Sequence, residues 1–328
     1  MAMLIGIDVG GTNLRLGVVE YDETIHNVRP RLIEEKRFHA DFSNLCKSHQ
    51  NAPEQAWQTI LNTTAAAIES VQVKYPKVSA VGIGFPGFID PDTQKISQSP
   101  NLPGLSNVDL SADLSRMIVL PVVTENDALV AAYGEYVMHP SQTNGQINSQ
   151  VNSLIYIGLG TGVGGGLILN GQPFQGQHGV AMEVGHITVK PNGRLCGCGN
   201  HGCMEQYASA SGVTISYFEA GSEQCNAHEI ASRAYQGDAN AIAAYRLAGI
   251  TLAQALAHIL KVIDVANVVI GGGMSAGWPL MEPSFTQQLN EDLIPALRGK
   301  INVSISNMGD QAGIIGAAML ARQKLMLD

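Results

Sequence analysis

Residues 5–19, IGIDVGGTNLRLGVV, hold two apolar runs folded about Gly10 and Gly11. Residues 3–9 are rich in Ile, Leu and Val, and residues 14–19 return as a second apolar run, so the stretch predicts a β-hairpin with a glycine-rich turn. A second copy of the device lies in GLGTGVGGGLILNG at 158–171, where residues 154–159 and 163–169 are the apolar runs. Glycines leave no Cβ in front of the backbone N–H groups, so two such turns facing each other across a cleft can grip a polyphosphate. One glycine turn alone is an ordinary tight hairpin, but a pair with a threonine in each, Thr12 and Thr161, points to a nucleotide clamp. Neither turn matches the Walker pattern or the dinucleotide fingerprint.

Strands and helices alternate outward from these hairpins. Apolar spacing predicts a helix over 52–73, a buried strand over 78–85, and a strand over 119–124 leading into a helix over 128–137. The segment 140–152, PSQTNGQINSQVN, is poor in apolar residues and reads as an exposed loop. Beyond the second hairpin come a long helix over 238–263, a short strand over 268–270, a backbone opening at Gly271–Gly273, another helix, and a helix over 310–327. The fold class is therefore α/β, and 328 residues with 45% hydrophobic content predict about two domains.

The balance of 19 Lys plus Arg against 28 Asp plus Glu gives a net charge of −9, with no basic run to offset it. A phosphate-backbone partner is not expected. The start, MAMLIGIDVGGT, has no basic segment ahead of its apolar run, and no stretch approaches the roughly 18 apolar residues of a membrane span. The expectation is a soluble, unexported protein without membrane contact.

Three of the five cysteines, Cys196, Cys198 and Cys203, crowd into CGCGNHGC, with His186 ten positions earlier. Three thiolates and one imidazole suit tetrahedral zinc better than a disulfide framework. Gly197, Gly199 and Gly202 would let the backbone curl around the ion. His201 is a competing imidazole inside the knuckle, and His186 is preferred. With no open position, zinc would fold the loop, not activate water. Glu183 in EVGH and Glu205 in CME flank it, two carboxylates able to accept hydrogen bonds from neighbouring hydroxyls. His186 would bind metal through one ring nitrogen and leave the other for a ligand. Cys46, Cys225 and the remaining histidines have no partners at ligand spacing and read as free thiols and packing or surface residues.

These motifs, with GIGFPGFID at 82–90, NLPGL at 101–105, ENDA at 125–128 and VVIGGGMS at 268–275, resemble the ROK (repressor, ORF, kinase) sugar kinases along essentially the whole chain. The resemblance implies a two-domain actin-like, hexokinase-type ATPase fold with ribonuclease H-like halves, an inter-domain cleft and a zinc-knuckle loop. Residues 1–124 plus 311–328 would form the small domain and 125–310 the large one, with the knuckle at 186–203. A hinge near 124–128 would close on bound sugar and suppress idle ATP hydrolysis.

The resemblance also implies roles. Asp127 matches the base that takes the proton from the attacking hydroxyl, against the alternative that it caps the helix beginning near Ala128. Asn101, Asn126, Glu183, His186 and Glu205 match hydroxyl-binding positions of glucokinases, and Asp8 matches the acid near magnesium. Gly10, Gly11, Thr12, Asn13, Thr161 and Gly162 would hold phosphate, and Gly271 and Gly272 the adenosine. Met182, where many relatives carry glycine, and Leu105, where an aromatic residue is common, depart from the pattern and bear on sugar identity. The implied activity is ATP-dependent phosphorylation of a hexose in the cytoplasm by a homodimer, with glucose first and N-acetylglucosamine, N-acetylmannosamine and fructose as alternatives. The donor, ATP or polyphosphate, stays open. A ROK-type repressor would need a helix-turn-helix domain ahead of the first hairpin, for which residues 1–4 leave no room. A filament protein of the actin type would have no use for the cysteine knuckle.

Overall fold

A computed structural model describes residues 1–22, 29–139 and 151–325. The expected hairpin forms from β1 (Ala2–Val9) and β2 (Asn13–Tyr21), with Asp8 opposite Arg15 and Val9 opposite Leu14. It continues through β3 (Arg31–His39), α1 (Phe42–Ser48), α2 (Pro53–Gln72), β4 (Val78–Phe85), the short pair β5 (Phe88–Ile89) and β6 (Ile96–Gln98), α3 (Leu110–Ile118), β7 (Val122–Asn126) and α4 (Asp127–Met138). The second hairpin is β8 (Leu154–Leu159) and β9 (Val163–Leu169), followed by β10 (Gln172–Pro173). Then come α5 (Glu205–Ala208), α6 (Ala210–Glu219), α7 (Ala227–Tyr235), α8 (Ala239–Ile263), β11 (Asn267–Gly271), α9 (Trp278–Asp292), β12 (Asn302–Ile305) and α10 (Gln311–Lys324). The loop expected at 140–152 falls mostly, and the tail of the helix expected over 310–327 partly, outside the described residues.

The two sheets repeat one topology, as the paired hairpins suggested. Their orders are β3-β2-β1-β4-β7 and β10-β9-β8-β11-β12. In the first, β1 and β2 are antiparallel while β4 runs parallel to both β1 and β7. In the second, β11 runs parallel to both β8 and β12.

Contacts divide the chain into two units. One is Met1–Asn152 with Gly166–Ala181 and Asp310–Asp328; the other is Ser153–Gly165 with Met182–Gly309. The boundary expected at 124/125 differs from this division, because α4 packs on β4 and α10 in the first unit. The strand pleat explains that packing. Ile5, Ile7 and Val9 of β1 and Val81, Ile83 and Phe85 of β4 join one apolar cluster with Phe42, Ile60 and Ile68. The alternate positions are Gly6, Gly82 and Gly84, and these face α10 and the start of α4. A Cβ at Gly6 or Gly82 would overlap a main-chain carbonyl of α10, and one at Gly316 would overlap the Val130 carbonyl of α4. Helix and sheet backbones therefore meet directly, with no side chain between them to give way. Gly82→Ala is expected to destabilise the fold by about 3 kcal/mol, at the upper end of overpacking effects. A denaturant midpoint matching wild type would show that α10 can lift off the sheet at no cost.

In the second unit α8 is the central helix, packed by α5, α6, α7 and α9. Asp238, expected as its first residue, is its N-cap and accepts from the N–H groups of Asn240 and Ala241. Among the described residues it is the one helix long and apolar enough to cross a membrane, and over half of that apolar window is buried inside the protein.

Candidate active site and metal centre

Both glycine turns are built so that their carbonyls face back into the protein. In the first, the Gly11 carbonyl accepts from Ser43 N–H at 3.1 Å and the Thr12 carbonyl from Ala40 N–H at 3.1 Å. In the second, the Gly160 carbonyl accepts from Ala210 N–H at 2.9 Å and the Thr161 carbonyl from the Ser211 hydroxyl at 2.9 Å. Each peptide is trans, so its N–H points opposite to its C=O. The N–H groups of Thr12 and Asn13, and those of Thr161 and Gly162, are thereby turned away from the segments that hold the carbonyls. The sequence pointed to these turns but not to what orients them, because the tethering residues lie far along the chain and carry no motif.

Asp8 is the penultimate residue of β1, beside the first turn. Its Oδ2 lies 3.0 Å from Arg15 Nη1, which also lies 3.2 Å from Asp310 Oδ1, and Arg37 completes the row at 2.9 Å from Asp310. Burial pushes the Asp8 carboxyl above its usual range, against the opposing pull of Arg15. The residue expected near magnesium thus faces a guanidinium supplied by its own hairpin partner, which sequence reasoning missed although the turn length fixes that register.

Asn126 and Asp127 sit where β7 becomes α4. Asn126 is the N-cap: its Oδ1 accepts from Leu129 N–H at 3.1 Å, and its Nδ2 donates to the Gly87 carbonyl at 3.1 Å. The capping duty that the sequence alone allowed for Asp127 is therefore filled by its neighbour, while Asp127 Oδ1 accepts from Ala128 N–H at 2.8 Å. Behind them Glu125 is 2% exposed and accepts from Lys324 Nζ at 2.9 Å, Gln175 Nε2 at 2.6 Å and Asn126 N–H at 2.8 Å. This ion pair, buried on the Glu125 side, fixes the junction from the C-terminal helix and left no trace in the local sequence. Asn101 is exposed in the loop after β6, which buried Leu102 and Leu105 anchor.

In the second unit the cysteine knuckle leads straight into the second turn. His186, Cys196, Cys198 and Cys203 place their ligand atoms within 4.8 Å of one another. Cys198 Sγ and Cys203 Sγ are 3.7 Å apart, and Cys196 Sγ is 3.5 Å from His186 Nδ1. A tetrahedral ion with zinc–sulfur and zinc–nitrogen bonds would set these edges at about 3.8 and about 3.6 Å, so the donor set fits zinc. Burial and the neighbouring sulfurs push Cys203 up to about 12, while the Asn200 backbone N–H pulls Cys198 down. His201 is exposed and lies outside this group. Gly199 and Gly202 have φ of 91° and 75°, conformations that favour glycine; Gly197 has neither a positive φ nor a close neighbour, so the expected need for glycine there is not met.

His186 Nε2 lies 3.7 Å from Glu183 Oε2, whose carboxyl is raised chiefly by burial. Met182 before it holds a φ of 67°, a left-handed conformation that a residue with a Cβ adopts at a cost and glycine adopts freely. Two residues after Cys203, Glu205 Oε2 accepts from Val163 N–H at 2.9 Å and occupies the place where a Cβ at Gly162 would stand. Gly271 ends β11 opposite Gly158, and the ring of Tyr156 lies against both. Gly272 has a φ of 82°, and a Cβ there would overlap the Leu159 backbone. Tyr156 is a further residue that the sequence did not single out.

Comparison with known proteins adds to this geometry. The ROK family model matches residues 4–324. A glucokinase of Thermotoga maritima is 30% identical over an alignment 338 positions long, covering 98% of each chain. An N-acetyl-D-glucosamine kinase of Salmonella arizonae is 32% identical over an alignment 334 positions long, covering 97% of this chain and 99% of that one. A solved ROK family glucokinase from Streptomyces griseus in complex with glucose and AMPPNP is 31% identical, with a TM-score of 0.77 over 98% of this chain and 100% of that one.

Proposed function

The chain belongs to the ROK family, and from that membership we propose that it transfers the terminal phosphate of ATP to a hydroxyl of a hexose, converting glucose to glucose 6-phosphate. The observation that carries this reading is the bond between Glu205 and Val163 N–H, which joins a hydroxyl-binding carboxylate to a turn presenting amides to phosphate. An alcohol site and a polyphosphate site built as one unit suit phosphoryl transfer to a sugar.

Phosphoryl transfer passes through a loose transition state, so alignment and charge neutralisation matter more than covalent chemistry. Asp127 accepts the proton of the attacking hydroxyl, and position matters more than basicity, because the proton can leave late. Asn101, Asn126, Glu183, His186 and Glu205 hold the remaining hydroxyls. The amides at Gly10–Asn13 and at Thr161 and Gly162 hold phosphate, and Gly271 and Gly272 are the positions assigned to the adenosine. Asp8 is the carboxylate assigned to the magnesium that ATP brings, which neutralises phosphate charge. His186, Cys196, Cys198 and Cys203 would hold a structural zinc whose service is to stiffen the segment between Glu183 and Glu205. The reading includes a cytoplasmic homodimer, the dimer being checked by light scattering.

N-acetylglucosamine is the second substrate reading, because a kinase of that sugar is as similar to the chain as the glucokinases are. ADP release against a panel of hexoses and N-acetylhexosamines separates the two. Glucose is expected to lead in kcat/KM by at least about tenfold, the discrimination a shaped pocket provides. A larger value for N-acetylglucosamine or N-acetylmannosamine would overturn the glucose assignment and keep the kinase.

A further inference from the structure

The two glycine turns are tied back in different ways. At the first turn both carbonyls are held by backbone N–H groups, of Ser43 and Ala40. At the second, the Gly160 carbonyl is held by the backbone of Ala210, but the Thr161 carbonyl is held by a side chain, the hydroxyl of Ser211, at 2.9 Å. The carbonyl of Thr161 and the N–H of Gly162 belong to one trans peptide, so the direction of the one dictates that of the other. Two N–H groups of the turn are committed within the protein. Gly160 N–H donates to the Gly162 carbonyl at 2.9 Å, and Val163 N–H donates to Glu205.

We propose that Ser211 is a positioning residue for the nucleotide: its hydroxyl locks the Thr161–Gly162 peptide so that Gly162 N–H is aimed at a phosphate oxygen before ATP arrives. This inference rests on the phosphate-binding role given above to Thr161 and Gly162. Without the hydroxyl, that peptide of a glycine-rich turn is free to rotate, and ATP binding must then restrict it. Ser211 is exposed, near the start of α6. The α6 N-cap is Ser209, whose side chain accepts from Gly212 N–H at 3.0 Å. Removing the Ser211 hydroxyl therefore leaves the helix capped and opens no cavity.

The test is calorimetric titration of wild type, Ser211→Ala and Ser211→Thr with AMPPNP and, separately, with adenosine, which has no phosphates. Ser211→Ala is expected to weaken AMPPNP binding by about three- to tenfold, the range of one net hydrogen bond, and to leave adenosine binding as in wild type. Ser211→Thr keeps the hydroxyl and is expected to restore AMPPNP affinity. Unchanged AMPPNP affinity in Ser211→Ala, equal weakening of both ligands, or no recovery in Ser211→Thr would each overturn the proposal. The readout needs no turnover. A wild type that binds AMPPNP but phosphorylates no sugar would sink the kinase reading and leave the Ser211 result to stand or fall by itself.

Discussion

Asp127→Asn is expected to lower kcat by about 10²- to 10⁴-fold, the usual contribution of a general base, equivalent to about 2.7–5.4 kcal/mol of barrier. Asparagine has nearly the same shape as aspartate and keeps an oxygen to accept from Ala128 N–H, as Asp127 Oδ1 does at 2.8 Å. The α4 N-terminus is capped by Asn126, so the helix does not depend on the carboxylate. What the substitution removes is the ability to take a proton. Sugar affinity, measured by calorimetry, is therefore expected to hold while turnover collapses. Near-normal turnover would remove Asp127 from its role, and a parallel loss of sugar binding would make it a binding residue only.

The second large effect is expected at the metal centre. Cys198 is the exposed member of the cluster, so Cys198→Ser removes a thiolate with little loss of packing. Stoichiometric zinc should be lost, then sugar affinity, with KM for the sugar raised by at least about tenfold, then thermal stability. The physical route is short. Cys203 lies two residues before Glu205, and the segment from Glu205 to Ser211 holds the second turn by three hydrogen bonds, from the Glu205 carboxylate, the Ala210 N–H and the Ser211 hydroxyl. Lowering the pH should loosen the metal in wild type too, because buried Cys203 must give up a proton that it otherwise holds up to about 12. Fully active enzyme found free of metal by elemental analysis would contradict this account.

The sequence was most legible where a pattern is local. The two hairpins, the buried strand Val78–Phe85 and the long helix ending at Ile263 were readable because apolar periodicity and glycine placement are properties of consecutive residues. The repeated strand order was foreshadowed by the resemblance between the two glycine hairpins. β3 escaped notice because it is an edge strand, RLIEEKRFH, whose charges mask its alternation. The strand expected to begin at Val119 begins at Val122, since Val119 closes α3 in a left-handed conformation.

Within the site, residue types and spacings identified the cysteines, His186 and the glycine turns. They did not disclose the groups that orient these residues. Lys324 meets Glu125 across 199 residues of chain, and Ser211 meets Thr161 across 50. Such contacts are made by tertiary packing and leave no local signature. The same holds for Gly6, Gly82 and Gly316, whose reason is the main chain packed against them.

Phosphorus NMR of the protein with MgATP and glucose follows the transfer of phosphate from ATP to a sugar hydroxyl as it occurs. The terminal phosphate signal of ATP is expected to decay only when sugar is present and to reappear as a monoester on the primary hydroxyl at position 6. No ester with glucose or any N-acetylhexosamine, or release of inorganic phosphate at the same rate with and without sugar, would contradict it.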